Sequence, residues 1–340
     1  MAVCYVPNLK WKRGEQIALS KLSDTIKDTI LPVTCLMSKN YDSIIGAYKR
    51  HWPSREFILD FHRDSKMLDA EKIIAIDKFT QAGLSFILAV NPLTSKSVVA
   101  KVKSIVLRID AGLDFDKVVK PFIDSCGIMA NNIDIIIDAP WLLNYSNSIP
   151  VITKLISDVI LKVSDYEKGK KQKFRRLIFA GSSFPETLSG LKPLSVTSIK
   201  RIEWEVWQSL LKTNKRIIFG DYGSDDPYEI EIDPTKGVTI IPTIRYTHDN
   251  SWYIIRGKLN RDNKFDFPQF HQLSKILVKE KFYCGARHCW GDNEINSCAN
   301  TACTGVRNCN HGNLESWVKI AINHHISFVA HQAANQVGAP

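Results

Sequence analysis

The run Ile133-Asp134-Ile135-Ile136-Ile137-Asp138-Ala139-Pro140 is almost continuously apolar and closes on a proline, as a strand buried on both faces does. The same pattern recurs on either side of it. Val3–Trp11, Leu31–Met37, Arg55–Phe61, Leu84–Asn91 and Ser104–Asp110 precede it, and Arg176–Ser183 and Arg216–Tyr222 follow. Helix-like stretches separate most of these segments: Glu15–Leu22, Asp42–His51 stopped at Pro53, the amphipathic Leu68–Ala82 with Gly83 as its cap, Asp114–Cys126, Pro150–Val163 and Arg201–Leu211. The weakest unit is Thr94–Lys103, with room for about two helical turns. Eight strand-helix units in about 220 residues are what a closed (β/α)8 TIM-like barrel requires.

In that fold chemistry sits at the carboxyl ends of the strands and in the loops that follow. There the chain places Lys10 and Lys12, Asp60, Arg108 and Asp110, Asp138, Gly181-Ser182-Ser183 and Asp221-Tyr222. A guanidinium buried at a strand end demands a carboxylate, which Asp110, Asp138 or Asp60 would supply to Arg108. The turns Gly181-Ser182-Ser183 and Gly220-Asp221-Tyr222-Gly223-Ser224 follow the seventh and eighth strands, where such barrels most often bind phosphate. Glycine lets backbone amides approach an anion and serine adds donors, although both residues also build ordinary turns. Asp60, Asp110, Asp138 and Asp221 read either as an internal salt-bridge network or as a ring of oxygen ligands suited to magnesium.

Beyond Ser224 the pattern changes, so the barrel is assigned residues 1–225 and an α+β extension residues 226–340, folded over the barrel mouth. Asp225–Lys236 is acidic and turn-rich. Val238–Thr247 and Ser251–Lys258 flank Asp249-Asn250 as the strands of a hairpin would. Phe267–Phe282 reads as a helix, Cys284–Asn313 as a long irregular loop and Leu314–Gln332 as a final helix. Arg245 and Arg256 lie on facing hairpin strands and join Lys10 and Lys12 as anion-holding candidates. In the last helix Asn323-His324-His325 forms a polar island, and adjacent histidines there point about 100° apart. Imidazole suits a general base near neutrality, against the commoner core or capping role. Trp252, Tyr253 and Trp290 read as packing rather than as a base-stacking platform.

A chain of 340 residues with 44% apolar composition buries a full-sized core, and its net charge of +10 favours polyanionic partners. The densest basic run, Lys168–Arg176, precedes a strand and so lies opposite the catalytic rim, where a solvated face is expected. No stretch approaches the roughly 18 to 20 apolar residues of a membrane helix and the first residues lack a signal-peptide pattern, which together place the chain in the cytoplasm. Cys284, Cys289, Cys298, Cys303 and Cys309 crowd the tail with His288 and His311 among them. Their spacings contain no C-x2-C knuckle, so free loop cysteines and no bound zinc are expected.

Several ordered motifs resemble one family. Tyr5-Val6-Pro7-Asn8-Leu9-Lys10-Trp11-Lys12-Arg13-Gly14-Glu15, Ala180-Gly181-Ser182-Ser183-Phe184-Pro185-Glu186, Phe219-Gly220-Asp221-Tyr222 and Ile244-Arg245-Tyr246-Thr247 with Trp252 and Arg256-Gly257 are similar to the phage-type beta protein family. Trp290-Gly291-Asp292, and Trp317 followed by Asn323-His324-His325, resemble its closing signature, so the likeness spans essentially the whole chain. It implies a setting in phage–host conflict but no settled reaction. One departure stands out. Where the family usually carries a glutamate after the second strand's proline, this chain reads Pro32-Val33-Thr34-Cys35-Leu36, which puts catalysis by that group in doubt.

The expected function is an enzyme or enzyme-like barrel acting on a phosphorylated small molecule, nucleotide or nucleic-acid end in phage defence or counter-defence. Lys10, Lys12, Arg245 and Arg256 would hold the anion, and Asp138, Asp221 or His324 would do proton or metal work. Asp60, Arg108, Asp110, Ser182, Ser183, Tyr222, Trp290, Asp292 and His325 would complete the pocket. The alternative is a non-catalytic recognition subunit that uses the same mouth to bind a phage component or a partner nuclease.

Overall fold

The computed structural model describes residues 2–61, 67–142, 148–225, 227, 241–258, 268–301 and 312–338. In chain order the elements are β1 (Tyr5–Leu9), α1 (Arg13–Ser20), α2 (Asp24–Lys27), β2 (Val33–Leu36), α3 (Tyr41–His51), β3 (Phe57–Phe61), α4 (Asp69–Gln81), β4 (Phe86–Val90), α5 (Lys96–Val99), β5 (Ile105–Asp110), α6 (Lys120–Ser125), β6 (Ile133–Ala139), α7 (Ile149–Lys170), β7 (Arg176–Gly181), β8 (Val196–Lys200), α8 (Ile202–Thr213), β9 (Ile217–Asp221), β10 (Thr243–His248), β11 (Ser251–Arg256), α9 (Gln269–Leu277), α10 (Trp290–Asn300) and α11 (Leu314–Val337).

Eight parallel strands close into a barrel in the order β1-β2-β3-β4-β5-β6-β7-β9, and the seam is Tyr5↔Phe219, Val6↔Gly220 and Pro7↔Asp221. This is the (β/α)8 barrel the sequence predicts. Period-two alternation splits each strand between two cores. Val6, Val33, Ile58, Ile87, Val106, Ile136 and Ile178 fill the interior, while Tyr5, Leu59, Leu107, Ile135, Ile137, Phe179 and Phe219 face the helices.

The strand β8 has no counterpart in the sequence reading. Its residues are half-exposed or exposed, so no apolar run announces it. It leaves the barrel between β7 and α8 and pairs antiparallel with β11, giving the three-stranded sheet β10-β11-β8. The hairpin is as expected, with Thr247↔Trp252 and His248↔Ser251 flanking Asp249, whose φ of 47° supplies the left-handed turn residue.

The stretch expected as an irregular loop, Cys284–Asn313, contains α10. With Gly291, Asn293, Asn296 and Asn300 it has poor intrinsic helix propensity. Packing decides instead: Ile295, Cys298 and Ala299 are buried, and the Cys289 side chain caps the helix by accepting the Asp292 N–H. Cys303, Cys309, His311, the start of the first hairpin segment and most of Asp225–Lys236 lie outside the described residues. Part of the basic run Lys168–Arg176 also differs from a plain solvated face, because Arg175 and Arg176 both turn in to the buried Asp134.

The last helix, α11, runs along the barrel flank. Ile326, Val329, Ala330 and Ala333 pack in the same outer core as Cys4, Tyr5 and Leu19, and Asn323 Nδ2 donates to the Ala18 carbonyl of α1 at 3.0 Å. It therefore takes the place of the helix that follows the eighth barrel strand, and the segments between β9 and α11 form an insertion. No helix among the described residues is long and apolar enough to cross a membrane.

Candidate functional site

At the carboxyl rim, Arg108 extends inward from β5 into a ring of acceptors. It donates to Asp60 at 2.5 Å, to Asp138 at 2.6 and 3.1 Å and to the Tyr222 hydroxyl at 2.7 Å, while Tyr222 itself donates to the second Asp138 oxygen at 2.6 Å. Alternation explains the meeting, since Asp60, Arg108 and Asp138 share the inward parity of Ile58, Val106 and Ile136. Burial works against the Arg108 cation, but Tyr222 and Asp60 outweigh it and raise its pKa. Beside this network lies a cavity of about 310 Å³, lined by Asp60, Lys72, Asn91, Thr94, Arg108, Asp110 and Asp138 among others. The Asp110 carboxylate is exposed and accepts the Gly112 N–H.

A second group gathers at the loop after β9. Lys10 lies 3.5 Å from Asp225, and Arg245 reaches both the Ser224 carbonyl at 2.7 Å and Asp225 at 3.2 Å. Arg245 also lies over the Phe184 ring at 5.1 Å. Gly223, at φ 67°, lets the chain turn between Tyr222 and Ser224, a conformation that costs glycine little. Lys12 is exposed one residue beyond the buried Trp11, whose φ of 53° bends the chain out of β1. Arg256 is half-buried at the far end of β11, and its carbonyl accepts the Leu194 N–H.

Asp221 and Tyr222 are neighbours in sequence and part company in space. Asp221 has outward parity and sits between barrel wall and helices, where it accepts from Tyr5 at 2.6 Å and meets His325 at 3.0 Å. Burial pushes the Asp221 carboxyl up, yet His325 and Arg201 outweigh it and hold the group below the ordinary carboxylate range. For His325, burial lowers the pKa and prevails over the pull of Asp221. A neutral imidazole fits both of its bonds: Nε2–H donates to Asp221, and Nδ1 accepts from the Thr247 hydroxyl at 2.7 Å. Ser183 belongs to this wall. It donates to Glu203 at 2.6 Å and accepts the Ile202 N–H, and burial pushes Glu203 up to about 7 against Arg201 and Ser183. Ser182, just beyond β7, is buried, and its hydroxyl has no hydrogen-bond partner among the described residues.

His324 looks the other way, toward α10. Its Nδ1 lies 2.9 Å from Asp292 and its Nε2 is 2.7 Å from the Thr247 carbonyl, both groups wholly buried. Tyr246 donates to the other Asp292 oxygen at 2.8 Å, and Trp290 is half-buried at the start of α10.

The structure thus brings Asp60, Arg108, Asp110, Asp138 and Tyr222 to one mouth, gathers Lys10 and Arg245 beside the next loop, and sets Asp221, Ser183, His324 and His325 outside the barrel wall. The four aspartates do not form one ring. Arg108 separates Asp60 from Asp138, and Asp221 faces away. Sequence reasoning missed Tyr5, Arg201, Glu203 and Lys72. The signal for the first was available, a phenol on the outward face opposite an outward aspartate.

Residues 5–331 match the model of the family described as Beta protein, and the chain belongs to that family. No curated protein matches the sequence.

Proposed function

We propose that this member of the Beta protein family is an enzyme-type barrel that takes a phosphorylated small molecule or nucleotide at its mouth, in phage–host conflict. The observation that carries the reading is the cavity at the carboxyl rim, where about 310 Å³ is bordered by Asp60, Lys72, Arg108, Asp110 and Asp138. That volume lies at the small end of ligand pockets. Arg108 is neutralised by two carboxylates and so orients Asp60 and Asp138 rather than serving as a free anion receptor. The phosphate falls instead to Lys10, Arg245 and the Tyr222-Gly223-Ser224 turn, with Asp225 as the group it displaces. Proton transfer falls to Asp138, hydrogen-bonded to Tyr222 and bordering the cavity, while Asp221 and His324 hold the surrounding wall.

One observation favours the recognition reading. The stretch Val33–Leu36, where the family usually carries a glutamate, has no carboxylate here, and its Cys35 is the Cα partner of Asp60 across β2 and β3.

Thermal-shift and native mass measurements with nucleotides and sugar phosphates test the proposal. A saturable ligand should raise Tm, and Arg245→Ala should weaken it by about 1.5–3 kcal/mol, the loss of a charged hydrogen bond, with the fold intact. Absence of any phosphorylated ligand, together with a protein partner footprinted on the mouth, would replace the enzyme by a recognition subunit. Plaque counts on cells expressing the protein or its Asp138→Asn variant test the setting.

A further inference from the structure

The cluster under α10 is left unused by the mouth. Among the described residues, His288, Asp292 and His324 present donor atoms that all lie within 4.8 Å of one another, and Asp292 and His324 are wholly buried. Two donors converge on a single oxygen there. The Cys289 thiol approaches Asp292 Oδ2 at 3.0 Å, and His324 Nδ1 approaches the same oxygen at 2.9 Å. The other imidazole, His288, has a buried Nε2 without a hydrogen-bond partner among the described residues, which costs free energy unless something occupies that side.

We propose that His288, Asp292 and His324 form a structural site for a zinc-class divalent ion.

The surrounding bonds are those such a site needs. A metal-bound histidine almost always donates its other N–H to a carbonyl or carboxylate, and His324 Nε2 faces the Thr247 carbonyl at 2.7 Å. The non-ligating oxygen of the carboxylate is held by Tyr246, and the Cys289 sulfur accepts the Asp292 backbone N–H at 3.4 Å, which fixes the start of α10. Two imidazoles and one carboxylate are a ligand set zinc takes, with water as the fourth ligand. With its carboxylate and one imidazole wholly buried outside the barrel mouth, the site is suited to holding the fold rather than to meeting a substrate.

Its place in the fold gives it a purpose. The donors come from the segment before α10, from α10 and from α11, and Gly291 brings those helices so close that a Cβ would lie 2.6 Å from the Ile320 carbonyl. A metal there pins the insertion to the barrel flank. This revises the expectation of no zinc in the tail. Cysteine spacing could not reveal the site, because no cysteine is among its three donors and one ligand lies on α11.

Metal analysis of the purified full-length chain should find one zinc per molecule. After chelator stripping, zinc titration against a chromogenic competitor should give saturable 1:1 binding. His288→Ala, at a half-buried position, should fold and bind at least about 100-fold more weakly, and Tyr246→Phe about 10–100-fold more weakly, the range for a group that positions a ligand. Cobalt substituted for zinc should show the intense visible bands of a tetrahedral site, which His288→Ala removes. Absence of stoichiometric metal together with an octahedral cobalt spectrum would overturn the assignment. So would zinc retained in His288→Ala and lost in Cys298→Ser or Cys303→Ser.

Discussion

Strand β6 carries an inward aspartate near each end, and the two have different lives. At the amino end Asp134 is wholly buried and accepts two bonds from Arg175 at 2.8 Å and one from Arg176 at 3.0 Å. At the carboxyl end Asp138 has the same kind of arginine partner, but Tyr222, just beyond β9, shares it and a cavity lies alongside. Same strand, same face, same side chain: the difference is what stands next to the ion pair. A carboxylate closed over by two arginines is a fastener, and one that borders a cavity can meet a ligand. The asymmetry matches the general division of this fold into a stabilising and a reactive rim.

The largest effect expected is at the closed end. Asp134→Ala strands two cations against the barrel floor and should lower unfolding free energy by about 3 kcal/mol in chemical denaturation, the lower range for breaking a buried pair because both arginines keep some contact with water. A loss well under 1 kcal/mol would erase the distinction between the ends.

Glu203 offers an intermediate case, a buried carboxylate outside the wall with Arg201 at 3.5 Å. Its folded pKa of about 7 stands above the ordinary 4.5, so the native state holds the proton more tightly than the unfolded chain. Its contribution is fully present below pH 4.5 and is lost as pH rises through 7. Glu15, which burial also pushes up to about 7 against the backbone N–H groups of Lys12 and Lys10, shares that window. Glu203→Gln should therefore remove about 2 kcal/mol of the stability lost between pH 5 and 8, leaving the Glu15 portion. An unchanged pH profile by urea denaturation would contradict this.

At the open end Asp138→Asn should cost only about 1–2 kcal/mol of stability, because Asp60 still pairs Arg108 and the cavity admits water. Its main effect should fall on ligand-induced stabilisation, read by thermal shift. A greater stability loss than for Asp134→Ala would invert the comparison. The smallest effect is expected for Cys35→Glu, which sets a carboxylate beside Asp60 on the neighbouring strand. Stability should change by less than about 1 kcal/mol, as at a half-buried position, while ligand selectivity shifts.

The barrel itself was legible because buried parallel strands write themselves as apolar runs. Ile133–Ala139 needed no context to be read. The position of Arg108 among Asp60 and Asp138 was legible too, since charge at a buried strand end leaves few options. What stayed hidden depended on partners far away in sequence. Asp221 and Tyr222 share a loop but not a side of the wall, and the strand β8 is too polar to announce itself. The helix α10 is held by its cap and its packing rather than by propensity, so Cys284–Asn313 looked shapeless. The His324 contacts with Asp292 and Thr247 could not be inferred from spacing, because they depend on an insertion folding back.

The placement of α11 on the flank of α1 and β1 has a further consequence, for biosynthesis. Cys4 and Ala330 meet across 326 positions, and Asn323 closes on Ala18 across 305. On a ribosome the first strand and helix emerge early and wait, with the outward faces of Tyr5 and Leu19 lacking their cover, until almost the whole barrel and its insertion have been translated. Contacts of such long range form slowly, and the exposed apolar face invites association in the meantime. The amino-terminal stretch is thus the face of the nascent chain left uncovered longest, and the outer ring of helices is complete only after the segment that carries His324 and His325 has left the exit tunnel.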